Sequence, residues 1–427
     1  MSIIVCKFGG TSLANPERVL RAARRLVDYR QAGHEVVAVV SAMGKTTDDL
    51  VALAEAVSPK PPLREMDMLL ATGEQQSMAV MAMAIQGLGQ RAVSMTGRQA
   101  GIITTAAYSK AQIDQIKCER VTDALAKDEI VIVAGFQGVT RKGDITTLGR
   151  GGSDTTAVAL AAALHADLCE IYSDVDGVYT ADPRKVPRAH KLERLSYKEM
   201  LEIAAAGSGV LALRAVEFAR RYQVPVSCRS AFNDNPGTII SAYKEDPMEQ
   251  AVVSSVTYDN SEAKITIRDV PDNVGIAAQV FSAIAKVGAN VDMIVQNVSE
   301  DGHTDMSFTT PIKELDLIEP VLKAQVKALG AREYGIDRDI AKISIIGAGM
   351  KANPGVAAKM FKVLADNGVN IGMISTSAIR VSVTVRSENI ERALTSLHTA
   401  FGLDADEEYE ETQLTAAELA AKAQKGR

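Results

Sequence analysis

Tryptophan is absent from the 427 residues, and aromatic side chains together make up only 4% of them. A core built on large rings is excluded, so the 47% of apolar residues must pack mainly as Ala, Val, Leu and Ile, as α/β enzymes commonly do. Cysteine is scarce as well. Cys6, Cys118, Cys169 and Cys228 stand far apart with no Cys-x-x-Cys pair, which supports neither a zinc knuckle nor a disulfide framework and suggests reduced, buried thiols. The five histidines form no cluster, and no metal cage or Ser/His/Asp triad is legible. Positive charge is not in excess: 47 Lys and Arg face 53 Asp and Glu, a net charge of −6. Without a basic stripe, nucleic acid is not expected as a partner. No run of about 18 apolar residues occurs, and the chain enters a strand-like segment without a basic leader, so a cytoplasmic location away from membranes is expected.

The length exceeds one ordinary core and suggests two or three domains. Residues 3–8 read as a buried strand that breaks at Gly9-Gly10. Asn15 can cap a following helix with Pro16 in its first turn, and Val19, Leu20, Ala23, Leu26 and Val27 recur at helical spacing. Apolar strands at 35–40, 129–134 and 168–172 alternate with helical stretches near 47–57, 66–86 and 153–165. This alternation predicts an α/β fold, a three-layer αβα sandwich with a mainly parallel central sheet. Ligands of such sheets bind beyond the carboxyl ends of the strands, which places Lys7, Ser41, Gly135 and Ser173 near one rim.

The C-terminal part repeats itself. Ala263-Lys264-Ile265-Thr266-Ile267 returns as Ala341-Lys342-Ile343-Ser344-Ile345, and Gly288-Ala289-Asn290-Val291 as Gly368-Val369-Asn370-Ile371. Gly275, Ala277, Ala278 and Phe281 likewise return as Gly355, Ala357, Ala358 and Phe361. Each copy reads as a small βαββ-type unit. The acidic, then Ala/Lys-rich tail from Asp404 onward reads as a frayed helix or disordered.

Several motifs suit phosphate and carboxylate chemistry. In Lys7-Phe8-Gly9-Gly10-Thr11-Ser12 a glycine pair lets backbone N–H groups approach phosphate oxygens, and Lys7 supplies a mobile charge. A glycine pair alone is more often a plain turn beside a surface Lys. Gly44-Lys45-Thr46 imitates a Walker A ending, but Val39 occupies the first glycine position. Gly347-Ala348-Gly349 opens like a dinucleotide fingerprint, yet Ala352 stands where the third glycine belongs. Gly149-Arg150-Gly151-Gly152-Ser153-Asp154 opens a helix, so its amides and Arg150 make an anion trap, Arg being able to grip a carboxylate through two parallel bonds. Asp154 is either a helix-start cap or an organiser of Lys7 or of metal-bound phosphate, and its place just after a glycine-rich anion loop favours the organiser. The loop Ser173-Asp174-Val175-Asp176-Gly177-Val178-Tyr179-Thr180-Ala181-Asp182-Pro183-Arg184 offers ribose acceptors, an aromatic face and a cation, and lacks EF-hand spacing. Glu74, in Ala71-Thr72-Gly73-Glu74, sits inside a helical stretch rich in Met and Ala, and from pattern alone a lone charge of this kind reads as a solvated cap.

Together with Ser41-Ala42-Met43, these strings resemble the aspartate kinases of the amino acid kinase superfamily over roughly residues 2–402, and the repeat resembles the paired ACT domains that close chains of that family. The resemblance implies a catalytic domain over 1–245, a linker over 246–262, ACT domains over 263–335 and 336–403, and a tail over 404–427. It implies transfer of the ATP γ-phosphate to the β-carboxylate of L-aspartate. Lys7 and Asp154 would be catalytic, with Phe8, Gly9, Gly10, Ser12, Ser173, Asp174, Tyr179, Asp182 and Arg184 joining Lys7 around ATP. Ser41, Thr47, Glu74, Arg150, Gly151, Gly152 and Ser153 would line the aspartate pocket, with Glu74 on the ammonium and Arg150 on the α-carboxylate. Magnesium would arrive with ATP rather than in a protein cage. Lysine, threonine or both would act as effectors at Asp272, Gly275, Ile276, Ala277, Ala278, Gln296, Asn297, Asn370 and Ile371. The first repeat departs from the family in having Asn273-Val274 where Pro commonly precedes Gly275.

A homo-oligomer formed through the ACT units is expected, and Met248 could start a separately translated regulatory subunit. The 25 residues after position 402 leave no room for a fused dehydrogenase. Other amino acid kinases, and a sensor that binds nucleotide without catalysis, are the alternatives. Glu74, Arg150 and the repeat taken together count against the first; intact Lys7, Arg150 and Asp154 count against the second.

Overall fold

The computed structural model describes residues 2–242, 252–297 and 302–404. Met248, the first part of the expected linker and residues 405–427 lie outside the described residues. The N-terminal part contains strands β1 (Ile3–Phe8), β2 (Glu35–Val40), β3 (Ala92–Met95), β4 (Ile102–Thr104), β5 (Ile113–Ile116), β6 (Ile130–Ala134), β7 (Gln137–Thr140), β8 (Ile145–Thr147), β9 (Leu168–Ser173), β10 (Arg194–Ser196), β11 (Val226–Ser230) and β12 (Thr238–Ser241). Its helices are α1 (Pro16–Gln31), α2 (Thr46–Val57), α3 (Leu63–Gly87), α4 (Glu119–Leu125), α5 (Gly152–Ala163), α6 (Tyr197–Ala205) and α7 (Leu213–Tyr222).

Eight strands form the main sheet in the order β10-β12-β11-β9-β1-β2-β6-β3, and only the β11–β12 pair is antiparallel. Strand alternation divides the core into two layers. Ile4, Cys6, Phe8, Val36, Ala38 and Val40 point toward α1 and α3, whereas Val5, Val37, Val39, Val131 and Val133 point toward α4, α5, α6 and α7. Asn15 does cap α1, its side-chain oxygen accepting the Arg18 amide at 2.9 Å, with Pro16 in the first position. The three-layer sandwich is as expected. A second sheet, β5-β4-β7-β8, was not legible, because strands of three or four residues carry too little alternation.

The C-terminal part contains β13 (Ser255–Asp259), β14 (Glu262–Pro271), α8 (Ile276–Lys286), β15 (Ile294–Gln296), β16 (His303–Pro311), α9 (Leu315–Leu329), β17 (Glu333–Asp337), β18 (Ile340–Ile346), α10 (Val356–Asp366), β19 (Ile374–Thr376), β20 (Arg380–Arg386) and α11 (Ile390–Ala400). The repeat is real, but each unit is larger than βαββ. It gains a second helix and a fourth strand, giving sheets β15-β16-β14-β17 and β13-β18-β20-β19.

Two expected boundaries therefore move. Strand β17 runs to Asp337 and pairs with β14, so the first unit does not stop at 335. Residues 255–259, assigned to a linker, form β13, which pairs antiparallel with β18 and completes the second sheet. The first unit is thus inserted between β13 and the rest of the second. Lys342 of β18, 1% exposed, meets Glu262 at 2.9 Å and Asp292 at 2.5 Å and ties the two units together. Among the described residues, no strand pairs with the outer edges of β15 and β19, where Ile294 and Ile374 are exposed.

Candidate active site

Parallel pairing sets the rim. Lys7 lies beside Val39 and Ile171, and the chain leaves β1, β2, β6 and β9 at one level. The turns that follow are laced by backbone bonds: the Gly9 amide donates to the Tyr172 carbonyl at 3.2 Å, Ser41 to Phe8 at 3.1 Å, and Gly135 to Val40 at 3.0 Å. Lys7, Ser41, Gly135 and Ser173 accordingly share that rim, as the sequence predicts. Gly10 passes so close to the next loop that a Cβ there would sit 2.8 Å from the Ala42 carbonyl oxygen. Its own carbonyl accepts the Gly44 amide at 3.0 Å, and a 3₁₀ turn at Thr11–Leu13 buries Ser12.

Helix α5 enters the site with its N-terminus. Nearly every one of its residues is buried, the pattern of a helix enclosed on all sides. Gly151 begins it at φ +71°, and a Cβ on Gly151 would collide with Ala212. Asp154, in the first turn, places one carboxylate oxygen 2.6 Å from the Lys7 ammonium, while the other accepts the Ala212 amide at 3.3 Å. Both side chains of the ion pair are only 12% exposed. Of the two readings of Asp154, the geometry favours the organiser of Lys7.

Glu74 lies inside α3, as the helical stretch predicts, but it is 3% exposed and so is not a solvated cap. A Cβ on Gly73 would stand 2.9 Å from the Ala42 side chain, so glycine there lets the loop after β2 pack onto α3. The next residue, Glu74, then accepts the Ala42 amide at 3.0 Å through one oxygen. Burial raises its carboxyl from the ordinary 4.5 to about 7, against the lowering effect of that amide. Its second oxygen and the Ser12 hydroxyl are buried without a hydrogen-bond partner among the described residues. Polar atoms left in this state mark places where a ligand can complete the bonding.

Arg150 is exposed, and among the described residues no hydrogen bond or ion pair holds it. Ser41 and Thr47 are half-buried, Ser153 is buried and Asp174 is exposed. Asp182 and Arg184 pair with each other: the Arg184 guanidinium reaches the carboxylate twice at 2.9 Å. Tyr179 bridges to Lys191 in short antiparallel pairing. Of the effector candidates, Asp272 through Ala278 and Gln296 with Asn297 belong to the first unit, and Asn370 with Ile371 to the second. Among the described residues, no hydrogen bond joins the two groups.

Sequence reading missed three supports. Asp67, fully buried, accepts the amides of Ser109 and Thr147, the latter at 2.9 Å, and holds the strand that leads to Arg150. Arg214 donates to the carbonyls of Leu148 at 3.1 Å and Ala111 at 2.9 Å. Asn233 donates to Asp176 at 2.8 Å and braces the loop after β9; its only signal was the turn-forming Asn-Asp-Asn-Pro-Gly string.

The profile described as "Amino acid kinase family" matches residues 2–230, and two profiles described as "ACT domain" match 265–330 and 343–401. The aspartokinase of Mycolicibacterium smegmatis is 52% identical over 412 residues, 96% of this chain and 98% of that one. The chain belongs to the aspartokinase family. Among solved relatives, E. coli aspartokinase III in complex with aspartate and ADP superposes with a TM-score of 0.82 at 25% identity, over 93% of this chain and 99% of that one. The same protein in complex with lysine and aspartate gives a TM-score of 0.72 at 25% identity, with the same coverage. Membership in the aspartokinase family makes the chain an enzyme of the aspartate kinase class, with a carboxyl group as phosphoryl acceptor. No helix among the described residues is long and apolar enough to cross a membrane.

Proposed function

We propose that this enzyme transfers the γ-phosphate of ATP to the β-carboxylate of L-aspartate, giving 4-phospho-L-aspartate, the first step of the pathway to lysine, threonine and methionine. The observation that carries the reading is the largely buried Lys7–Asp154 pair at the glycine loop, beside two buried oxygens, Ser12 Oγ and Glu74 Oε2, that lack partners among the described residues. Lys7 neutralises charge on the transferring phosphoryl group, and Asp154 fixes the ammonium in place. Phe8, Gly9, Gly10 and Ser12 line the phosphates, while Ser173, Asp174, Tyr179, Asp182 and Arg184 hold the nucleotide. Glu74 takes the substrate ammonium and Arg150 its α-carboxylate, with Ser41, Thr47, Gly151, Gly152 and Ser153 bordering the acceptor. The aspartate and ADP bound in the E. coli relative support this pairing of ligands.

Magnesium enters with ATP, held by phosphate oxygens and water, because phosphate-bound magnesium needs few protein ligands. Lysine, threonine or both bind the paired ACT units at the residues named above, and the lysine complex of the E. coli relative favours lysine. The outer edges of β15 and β19 suit association with a second copy of the chain. A cytoplasmic setting, where ATP and free amino acids are at hand, completes the reading.

A hydroxamate assay with ATP, magnesium and L-aspartate tests it. An acyl phosphate trapped as the hydroxamate is the expected result, and none formed with aspartate would sink the proposal. Arg150→Lys should raise KM for aspartate on the order of tenfold with little change in kcat, since a point charge cannot make two parallel bonds. An unchanged KM would remove Arg150 from the pocket. In thermal-shift titrations, lysine or threonine should raise Tm as a saturable ligand does; no shift with either would refute the effector assignment.

A further inference from the structure

Thr180 sits inside the loop assigned to the nucleotide, next to Tyr179 and two residues before Asp182, yet two of its partners come from the regulatory half of the chain. It is 1% exposed. Its carbonyl accepts the Val256 amide of β13 at 2.7 Å, and its hydroxyl lies 2.8 Å from Nε2 of His398 on α11. The same hydroxyl oxygen accepts the His190 amide at 3.1 Å. With the Asp404 carboxylate as acceptor at Nδ1, the proton of the neutral imidazole sits on Nδ1, and Nε2 accepts the Thr180 hydroxyl proton. Nδ1 lies 2.8 Å from the Asp404 carboxylate, which Arg188 also meets at 3.0 Å.

The surroundings hold this line of contacts still. His398 is wholly buried. Ala181 and Val186 of the loop pack in one apolar cluster with Leu394 and Leu397 of α11, and Lys185 meets Glu391 at 2.5 Å. Burial lowers the affinity of His398 for a second proton, opposed by Asp404 and reinforced by His190 and Arg188. The neutral imidazole is the form that can accept from Thr180.

We propose that His398, a residue of the second regulatory unit, is a positioning residue for the nucleotide: by holding Thr180 it sets Tyr179 and Asp182 at the ATP site. This deepens the nucleotide reading of residues 173–184 and rests on it. It also gives the second unit a direct lever on ATP binding, since any displacement of α11 or β13 moves Thr180.

Two substitutions in the full-length chain separate the contacts of His398. In His398→Asn the amide can still reach Asp404 but falls short of Thr180, whereas in His398→Gln the longer side chain can accept the Thr180 hydroxyl. The expected result is a KM for ATP raised about fivefold or more in His398→Asn, with KM for aspartate within twofold, and recovery in His398→Gln. Thr180→Val should reproduce His398→Asn, and Thr180→Ser should not; this second pair decides the matter if the His398 variants do not fold. An unchanged KM for ATP in folded His398→Asn, or equal rises for both substrates, overturns the proposal. Arg184→Ala distinguishes the two levels. If Arg184→Ala raises KM for ATP and His398→Asn does not, the positioning role alone fails; if neither raises it, the nucleotide reading fails with it.

Discussion

Replacing Lys7 by Ala should lower kcat on the order of a thousandfold while KM for aspartate changes by less than about threefold. Phosphoryl transfer asks little covalent work of the protein. Its transition state carries charge on the non-bridging oxygens, and a fixed cation in a water-poor site stabilises that charge more than it stabilises bound substrate. Lys7 fits this task because its ammonium is held 2.6 Å from Asp154 and its side chain is only 12% exposed, so little reorganisation is needed as charge develops. The loss should therefore appear equally in kcat and in kcat/KM, as it does for an interaction made only in the transition state. Removing the cation also strands Asp154 in a largely buried position, at a cost on the order of 3 kcal/mol. The double variant Lys7→Ala with Asp154→Asn should recover part of that stability without recovering turnover. Steady-state kinetics by the hydroxamate assay, with thermal unfolding alongside, measure both. A kcat within tenfold of the parent enzyme would dismiss the charge role of Lys7.

Glu74→Gln should weaken kcat/KM for aspartate on the order of a hundredfold and abolish its dependence on pH below about 7. The free enzyme carries a Glu74 carboxyl raised to about 7 by burial. Only its ionised form attracts an ammonium, so kcat/KM for aspartate should fall toward tenfold per pH unit as pH drops below that value. Bound aspartate keeps the carboxylate charged, and kcat should be flatter than kcat/KM over the same range. Stability follows the opposite sign. Because the folded-state value lies above the ordinary 4.5, the protonated carboxyl favours the fold; that contribution is complete below about 4.5 and lost as pH rises through about 7. The neutral amide escapes this loss, so Glu74→Gln should be more stable than the parent at pH 8, on the order of 1–3 kcal/mol, and no more stable at pH 5. A parallel pH profile in the variant, or an equal stability difference at both pH values, would count against a buried carboxylate awaiting an ammonium.

Sequence pattern carried the catalytic half further than the regulatory half, for a physical reason. Strands β1, β2, β6 and β9 are buried on both faces and read as continuous apolar runs, and the parallel rule then fixes the rim on which Lys7 and Ser173 meet. Proximity across the chain is another matter. That Glu74 is buried depends on Gly73 admitting the Ala42 loop, and no local pattern around a lone Glu in a Met- and Ala-rich helix reports a loop arriving from 32 positions away. The link between Thr180 and His398 spans 218 positions and was equally silent. The repeat was visible as text, but the strand that completes the second unit lies before the first and resembles nothing in it. Strand β13 could be recognised only by what it pairs with.

That insertion changes how the regulatory half must assemble. Strand β13 is made first and waits for β18, with the 80 residues between Asp259 and Ile340 still to be ordered. While that segment is an open chain, joining the two strands means closing a long loop. Once it has folded, β14 and β17 lie side by side with Lys264 opposite Asp337, so its two ends are already neighbours. Closure then spans only a few residues, a saving on the order of 2 kcal/mol in chain entropy. The inserted unit thus serves as a clip for the sheet around it, and a substitution that unfolds it loosens β13 as well, along with the Val256 bond that reaches Thr180.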